Sequence, residues 1–520
     1  MNVLMDSGKL VLDKTKNAKK GIVTGVVNKV VTLLVPFIVR TVFIQKVGME
    51  YAGLNSLFAS TIQILNLAEL GFSSAVIFSM YKPIADKDNK TICALLNFYR
   101  DVYRLVGLVV FIVGLILMLF LDNLINGEKP ADVNIYIVYF IFLTNSCISY
   151  LLYGYKTSLF YAFQRTDVIN NIGSITQIGL SISQLIILFA FKNYYYYLVL
   201  IPLFTILNNL LVSYWVDRMY PQYRCNGRIT KRMRLDIWKR ISGLAIYRIC
   251  VMTRNSLSSI VLSVFLSLTI VGIYDNYYMI LNALTGMMLI ITNSMLGGIG
   301  NAIETKSKEE NFKDLCKFNF IYVYIGSISA IMLTTLYQPF MTIWMGKDYL
   351  LPFSTVSLLG LYFFNLKLGD ILNVYYSAAG LWWYGKWRSI MELISNVILS
   401  IVLVQLFGID GVIFSTVAVH FFINLLYGMS IAFKHYFGTE FMRKFYKLQF
   451  YYLIVTVLSF LICYYILCTI ESILVLNNPW HIMIERVIVC LCISSTLLFL
   501  FYFNTIEYKN SISWIKSFKK

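Results

Sequence analysis

The chain has 520 residues, of which 58% are hydrophobic, 16% aromatic and only 13% charged. This charged share is about half that of an ordinary soluble domain. Apolar runs of about 20 residues, long enough to cross a hydrocarbon core of about 30 Å, recur from end to end. The composition therefore excludes a soluble enzyme or a nucleic-acid-binding protein, and it predicts an all-α polytopic membrane protein in spite of the net charge of +18.

About fourteen transmembrane helices are predicted in chain order. They fall near 22–44, 51–80, 102–121, 133–153, 171–191, 197–217, 243–265, 271–297, 317–337, 353–377, 391–407, 411–432, 449–470 and 484–504. The segments 391–407 and 411–432 are the least separated, because only Gly408 and Gly411 divide them.

The orientation follows from the cations in alternate connections. With the N-terminus in the cytosol, the inner connections hold 34 Lys and Arg residues and the outer ones hold 4. Such an asymmetry is the positive-inside rule. We therefore expect both termini to be cytoplasmic.

An internal repeat divides the predicted helices. Ala52-Gly53-Leu54 and Val271-Gly272-Ile273 each begin a long span, and the same offset of 219 places Lys29 on Arg248. This pattern predicts a parallel pseudo-repeat of two six-helix lobes with two C-terminal helices added, and with a central cavity where the lobes meet. The predicted domains are a cytoplasmic N-terminal segment (1–21), the N-lobe of helices 1–6 (22–217), a basic cytoplasmic linker (218–242), the C-lobe of helices 7–12 (243–432), helices 13–14 (449–504) and a cytoplasmic tail (505–520).

Ionisable residues inside the spans are the candidate functional groups. The cations are Lys29, Arg40, Arg248, Arg254, Lys367 and Arg486, and the acids are Glu69, Asp275 and Asp370. A cation facing lipid at mid-bilayer costs about 2.5–3.5 kcal/mol, so the deep ones should face a bundle interior or a hydrated cavity. We predict that the cations lining such a cavity are Lys29, Arg40, Arg248, Arg254 and Lys367. Glu69 and Asp370 are candidate ion-pair or coupling partners of Lys29 and Lys367, whereas Arg486 lies near an outer end and is expected to reach the interface.

Catalytic and metal-binding patterns are not found in the sequence. The three histidines, His420, His435 and His481, are dispersed, and no H-E-x-x-H, Walker A or G-x-S-x-G motif occurs. Transport without intrinsic ATP hydrolysis fits this chain, with no cofactor and no metal. The sequence leaves open whether H⁺ or Na⁺ is coupled to it. Excess positive charge in a cavity suits an anionic head group, because guanidinium binds phosphate oxygens in bidentate fashion.

Several of these features resemble a known family. They are the span pattern, the lysine-bearing N-terminus, the cations in spans one and seven, and the stretches 47–54 (Val-Gly-Met-Glu-Tyr-Ala-Gly-Leu) and 69–73 (Glu-Leu-Gly-Phe-Ser). Together they are similar to the polysaccharide repeat-unit (Wzx-type) oligosaccharide flippases of the multidrug/oligosaccharidyl-lipid/polysaccharide (MOP) exporter superfamily. The likeness covers nearly the whole chain and is strongest over 20–100.

The resemblance implies a function and its partners. The substrate would be an undecaprenyl-pyrophosphate-linked oligosaccharide, moved by alternating access from the inner to the outer leaflet of the bacterial cytoplasmic membrane for capsule, O-antigen or exopolysaccharide synthesis. Membrane lipids, a polysaccharide polymerase and a co-polymerase would be the partners, with no nucleic acid. A lipid II-type flippase and a cation-coupled multidrug antiporter of the same superfamily remain alternatives. A membrane-embedded sugar polymerase or acyltransferase is a more distant one, because the outer loops are short.

Overall fold

The computed structural model describes residues 14–66, 72–127, 129–473 and 478–517, and its regular elements over these ranges are all helical. The α-helices are α1 (Lys14–Lys46), α2 (Met49–Leu65), α3 (Phe72–Ala85), α4 (Asn89–Met118), α5 (Ile135–Leu151), α6 (Thr157–Ala162), α7 (Thr166–Ala190), α8 (Tyr194–Met219), α9 (Lys231–Phe265), α10 (Leu268–Thr305), α11 (Lys308–Trp344), α12 (Phe353–Ala378), α13 (Lys386–Val419), α14 (Gly428–Ala432), α15 (Thr439–Ile473), α16 (Pro479–Tyr502) and α17 (Ile506–Ser517). Two π-helical segments, His420–Tyr427 and Phe433–Phe437, flank α14.

Side chains at the helix ends show how polar residues start apolar helices. Helices satisfy their own backbone groups in lipid, except for the first N–H groups and the last carbonyls. The carboxylate of Asp88 accepts from the backbone N–H of Thr91 at the start of α4. Ser307 and Glu310 form a reciprocal capping box at the start of α11. These residues place the helix starts in the connections between apolar runs.

Within the described residues, the count of long apolar helices differs from the fourteen spans predicted. Ten described helices are long and apolar enough to cross a membrane, or eleven if Ile135–Leu151 and Gly154–Ala162, bent by 48°, form one span. The exact count of fourteen is therefore not confirmed. One physical reason is that the predicted span 51–80 is divided between α2 and α3, each of which is shorter than a full crossing.

A helical hairpin accounts for the least separated pair of predicted segments. Residues Lys386–Phe437 form one apolar run, but Gly408 has φ 57° and ψ −134°, a conformation open to glycine alone. On either side of it the chain folds back, since Ser400 Oγ lies 2.6 Å from Ser415 Oγ and Asn396 donates to Thr416 across 3.3 Å. The run therefore contains two antiparallel arms, which correspond to the segments predicted at 391–407 and 411–432.

The chain forms two compact units. Unit 1 comprises Met1–Ala52, Thr61–Asn123 and Pro130–Ala245. Inside it α1 packs along α7, where the Asn28 amide donates to Asn170 O at 3.1 Å and to Ser174 Oγ at 2.9 Å. α4 packs closely on α5, because a Cβ at Gly114 would lie 2.3 Å from a methyl carbon of Leu143. Small residues and polar side chains thus provide the close helix contacts that are typical of membrane bundles.

Unit 2 comprises Gly53–Ser60, Leu124–Lys129 and Ile246–Lys520. Its core surrounds α11, where the Phe320 ring packs 5.3 Å from Tyr502 and 6.1 Å from Tyr452. The segment of α2 in this unit contacts α10. Ser56 Oγ donates to Asp275 at 2.7 Å, and these two residues are 219 positions apart. Ser56 and Asp275, which the predicted repeat makes equivalent, therefore contact each other. The predicted domain boundaries stay a prediction.

Candidate functional site

The first group of predicted cavity cations lies on α1 and α9. Lys29 and Arg40 on α1 are half-buried, and Arg40 lies close to Tyr197 of α8. Arg248 on α9 is also half-buried. Glu69, the predicted partner of Lys29, lies outside the described residues, so that pairing stays a prediction.

Arg254, on α9 like Arg248, forms a buried ion pair that the sequence did not predict. Its Nη1 lies 2.5 Å from Oε1 of Glu392 on α13, and only 10% of the Arg254 side chain and 5% of the Glu392 side chain are exposed. The second carboxylate oxygen of Glu392 accepts from the Asn424 amide at 2.7 Å. Both oxygens of this buried acid are therefore occupied, as burial of a charge requires.

A second arginine lies one helical turn before Glu392. Arg388 is 1% exposed, and its Nη1 donates to the carbonyl of Asn424 at 3.3 Å. The Tyr376 ring lies 5.1 Å from the guanidinium carbon. Gly428 leaves room for this group, because a Cβ at that position would lie 2.7 Å from Nη1. Arg388 lies in the first turn of α13, and its side chain is buried inside unit 2.

A polar ladder follows from the spacing along the hairpin. One arm carries a buried polar residue at every fourth position, namely Arg388, Glu392, Asn396 and Ser400. At this spacing the side chains share one helix face. The other arm opposes them with Ser415, Thr416, His420 and Asn424, which are buried as well. The last two belong to the π-helical segment, a distortion that often marks a functional site.

Lys367 on α12 is wholly buried. Its Nζ lies 2.5 Å from Asp370, one turn further along the same helix, and that carboxylate also accepts from the Tyr322 hydroxyl at 2.7 Å. The rings of Phe363 and Tyr322 lie 5.4 and 5.7 Å from the ammonium. The ion pair that was considered for these two residues is therefore formed, and it lies within the packed interior of unit 2.

His420 is the common neighbour of these groups. It is 4% exposed, packs edge-on to Tyr362 and lies within electrostatic range of Arg254, Glu392, Arg388 and Lys367. We use the name His420 cluster for His420 together with Arg254, Arg388, Lys367, Glu392 and Asp370. It contains three cations and two carboxylates. The cluster therefore carries one cation in excess of its acids.

Arg486, on α16, lies in an ion pair that the sequence did not predict. It forms a two-pronged pair with Glu471 of α15, at 2.6 and 3.0 Å, and its position at the interface stays a prediction. Its Nη1 also donates to the carbonyl of Thr335 on α11 at 2.8 Å. Arg486 therefore connects three helices of unit 2, which is a structural role.

Two members of the His420 cluster were missed from the sequence, although signals were present. Glu392 is an acid inside the predicted span 391–407 and follows the same rule that selected Asp370. Arg388 lies four residues earlier, just outside the predicted boundary. In the part of the chain that the structure describes, no group of His, Cys, Asp and Glu could hold a metal ion.

The arrangement of helices is similar to that in solved structures of MOP superfamily members. No family model and no curated protein matches the sequence. Among solved structures, the lipid II flippase MurJ in an inward closed conformation has a TM-score of 0.67 at 14% identity, and the match covers 94% of this chain and 99% of that one.

Multidrug transporters share the same fold. An inward-facing MATE family transporter of the MOP superfamily has a TM-score of 0.59 at 14% identity, covering 77% of this chain and 94% of that one. A MOP superfamily transporter from Pyrococcus furiosus, described as having a binding pocket of reverse polarity, has a TM-score of 0.53 at 14% identity, covering 82% and 99%. The chain is thus a multi-pass membrane protein with a MOP-type fold.

Proposed function

We propose that the protein is a flippase that moves undecaprenyl-pyrophosphate-linked oligosaccharide repeat units from the inner to the outer leaflet of the bacterial cytoplasmic membrane by alternating access. The product would feed the synthesis of a surface polysaccharide, with a polymerase and a co-polymerase as partners. The observation that carries the proposal is the His420 cluster, in which three buried cations face two carboxylates. A pyrophosphate head group is the ligand class that this charge balance favours.

The chemistry of the cluster matches a phosphate better than a cation. A guanidinium presents several N–H donors in a plane and can bind two phosphate oxygens at once. Arg254 is the most exposed of the three cations, at 10% of its side chain. It is therefore the cluster member that we assign to the phosphate. Lys29, Arg40 and Arg248 remain proposed cavity cations, and Glu69 remains a proposed coupling or ion-pair group. Lys367, which the sequence suggested as a further cavity cation, is instead fully buried in its ion pair with Asp370.

The direction of transport agrees with the membrane potential. A negatively charged head group that leaves a negative cell interior gains about 2.3 kcal/mol per charge per 100 mV. Outward movement of a pyrophosphate diester is therefore favoured whenever its charge is not fully compensated by a coupled ion. The lipid tail stays in the bilayer, so only the head group requires a polar path.

One second candidate has support from an observation. The match to the lipid II flippase structure covers 94% of this chain, whereas the MATE and Pyrococcus furiosus structures cover 77% and 82%. A lipid II-type substrate has the same lipid pyrophosphate chemistry, and it is therefore the alternative. A multidrug antiporter for cationic compounds is disfavoured by the positive balance of the His420 cluster.

Proteoliposomes containing the full-length protein test the proposal. Separate vesicle preparations carry undecaprenyl-pyrophosphate-linked oligosaccharide, lipid II or a fluorescent cationic dye. A membrane-impermeant lectin or glycoside hydrolase added outside reports which leaflet holds the sugar. We expect the linked oligosaccharide to change leaflet without covalent change, and Arg254→Lys to retain part of the rate that Arg254→Ala loses. Movement of lipid II alone would select the second candidate, and dye transport alone would refute both flippase functions.

A further inference from the structure

Arg388 is a buried cation with an incomplete set of partners. It is 1% exposed, and its Nε–H has no hydrogen-bond partner within the described part of the chain. Among the described residues, its guanidinium donates a hydrogen bond to a neutral carbonyl, that of Asn424. A buried guanidinium without a carboxylate in contact is costly, since desolvation of an ion amounts to several kcal/mol. The cost of burying the Arg388 guanidinium suggests that this residue has a role beyond packing.

Glu392 is the acid within reach of both arginines. It is bound to Arg254 at 2.5 Å, and Arg388 lies one turn earlier on the same helix, at the i, i+4 spacing that lets two side chains meet. Arg388 already lies within electrostatic range of the Glu392 carboxylate. Because Arg388 and Glu392 share one helix face, a change of the Glu392 side-chain rotamer turns the carboxylate from Arg254 towards Arg388.

Asn424 is placed to guide such a movement. Its side-chain amide donates to Glu392 at 2.7 Å, while its backbone carbonyl accepts from Arg388 at 3.3 Å. The same residue therefore touches the acid and the second arginine at once. It lies in the π-helical segment His420–Tyr427, and Gly428 directly after this segment leaves the space that the Arg388 guanidinium occupies.

We propose that Glu392 is an exchangeable counter-ion: phosphate competes with its carboxylate for Arg254, and Arg388 receives the carboxylate that phosphate displaces. This inference rests on the proposed function, because it takes the lipid pyrophosphate as the anion that binds Arg254. After the exchange both arginines have an anionic partner, because Arg254 holds the phosphate and Arg388 holds the carboxylate. It also supplies a route to release, since the returning carboxylate displaces the phosphate. Glu392 and Arg388 are then positioning residues that set substrate affinity and release.

Binding of undecaprenyl pyrophosphate to the full-length protein in nanodiscs tests the exchange. In Glu392→Gln the competing charge is gone, so we expect the Kd to fall roughly tenfold, within the range usual for coupled sites. In Arg388→Met the displaced carboxylate has no second cation, so the Kd should rise roughly tenfold. In the double variant the carboxylate is absent, and the Kd should equal that of Glu392→Gln alone.

This pattern separates exchange from a merely structural role. If Arg388 only supports the fold, Arg388→Met will change the Kd by the same factor with Glu or Gln at position 392, and that equality would overturn the proposal. The flipping rate is a second measurement. The Glu392→Gln variant should bind undecaprenyl pyrophosphate tightly and release it slowly, so its flipping rate should fall. Arg388→Lys, which keeps the charge, should remain near the wild-type Kd and serves if Arg388→Met does not fold.

Two controls distinguish this inference from the proposed function. Undecaprenol, which has no phosphate, should show no dependence on residue 392, and Arg486→Met, which breaks an ion pair elsewhere in unit 2, should leave the Kd for undecaprenyl pyrophosphate unchanged. A wild-type protein that does not bind undecaprenyl pyrophosphate contradicts the proposed function and the exchange together. Binding that is unaffected by Glu392→Gln contradicts the exchange alone.

Discussion

Three of the charges inside the bundle, Arg254, Lys367 and Arg486, are each compensated by a carboxylate in contact. The Arg254–Glu392 pair shows the principle, since both members are almost fully buried and both carboxylate oxygens have donors. Removing one partner of a buried pair leaves an uncompensated charge, which is more costly than removing both. Stability and transport therefore need not change together when these residues are substituted.

Arg254→Ala separates the two properties. It leaves the Glu392 carboxylate without its cation, so we expect a loss of about 3–5 kcal/mol in the free energy of unfolding. Adding Glu392→Gln should restore most of the stability, because the buried charge is then removed as well. Export of surface glycan should stay absent in both variants. Thermal unfolding in detergent and glycan export in cells measure the two effects, and export by the stable double variant would remove Arg254 from the substrate site.

For Arg486 we expect a loss of stability without a loss of transport. Its contacts go to Glu471 and to the carbonyl of Thr335, so Arg486→Ala should lower the free energy of unfolding by about 2 kcal/mol through the loss of charge-assisted hydrogen bonds. The flipping rate per folded molecule should be unchanged. Denaturation and proteoliposome transport on the same preparation check both statements. An unaltered unfolding curve would return Arg486 to the interfacial role that its position in the sequence suggested.

The predictability of the site depends on the distance between partners along the chain. Lys367 and Asp370 are three residues apart, so their ion pair could be considered from the sequence. Arg254 and Glu392 are 138 positions apart, and a tertiary contact of this kind cannot be inferred from one sequence. Burial of Arg388 was hidden for another reason: it lies at a span boundary, where a cation is normally interfacial.

Among the helices, glycine sets the close approach of α2 to α10. A Cβ on Gly53 would lie 1.8 Å from the carbonyl oxygen of Leu268 and 3.2 Å from the backbone nitrogen of Gly272. These atoms belong to backbone, which cannot swing away as a side chain can. The segment of α2 in unit 2 can therefore contact the start of α10 only if position 53 has no side chain.

Gly53→Ala tests this contact against a matched glycine. We expect the variant to lose most of its folded population, because overlap with backbone forces α2 and α10 apart and typical overpacking costs about 1–3 kcal/mol or more. Gly298→Ala is the control, since a Cβ there meets nothing within 4 Å. It should be neutral or slightly stabilising, by about 0.5–1 kcal/mol. Size-exclusion profiles of the two variants compare them, and equal profiles would contradict the structural contact.

The helices themselves were predicted more reliably than their ends. Hydropathy identifies the apolar run 51–80, but it does not predict that this run forms two helices, α2 and α3. The residues of the two helices are equally apolar. The turn at Gly408 was visible as a weak separation and proved to be a reversal of direction. A positive φ at one glycine leaves no trace in hydropathy, so such a boundary depends on tertiary packing.

For the whole molecule, the all-α membrane class follows from composition alone. With 58% hydrophobic residues and apolar runs throughout, the chain cannot remain in water, and only helices satisfy the backbone within lipid in such runs. A similar fold in MOP transporters at 14% identity shows that the arrangement persists when most side chains differ. The proposed function depends on a few charges whose partners are distant in sequence, so the fold was easier to predict than the candidate site.

Orientation in the membrane is the last property that charge predicts for the entire chain. Cations are retained on the cytoplasmic side during insertion, and the 34 to 4 distribution of Lys and Arg favours cytoplasmic termini. A green fluorescent protein fused after Lys520 should therefore fluoresce. Alkaline phosphatase inserted after Lys192 should be active, and after Arg228 inactive. Activity after Arg228 with a dark C-terminal fusion would reverse the topology, and with it the leaflet from which the substrate is taken.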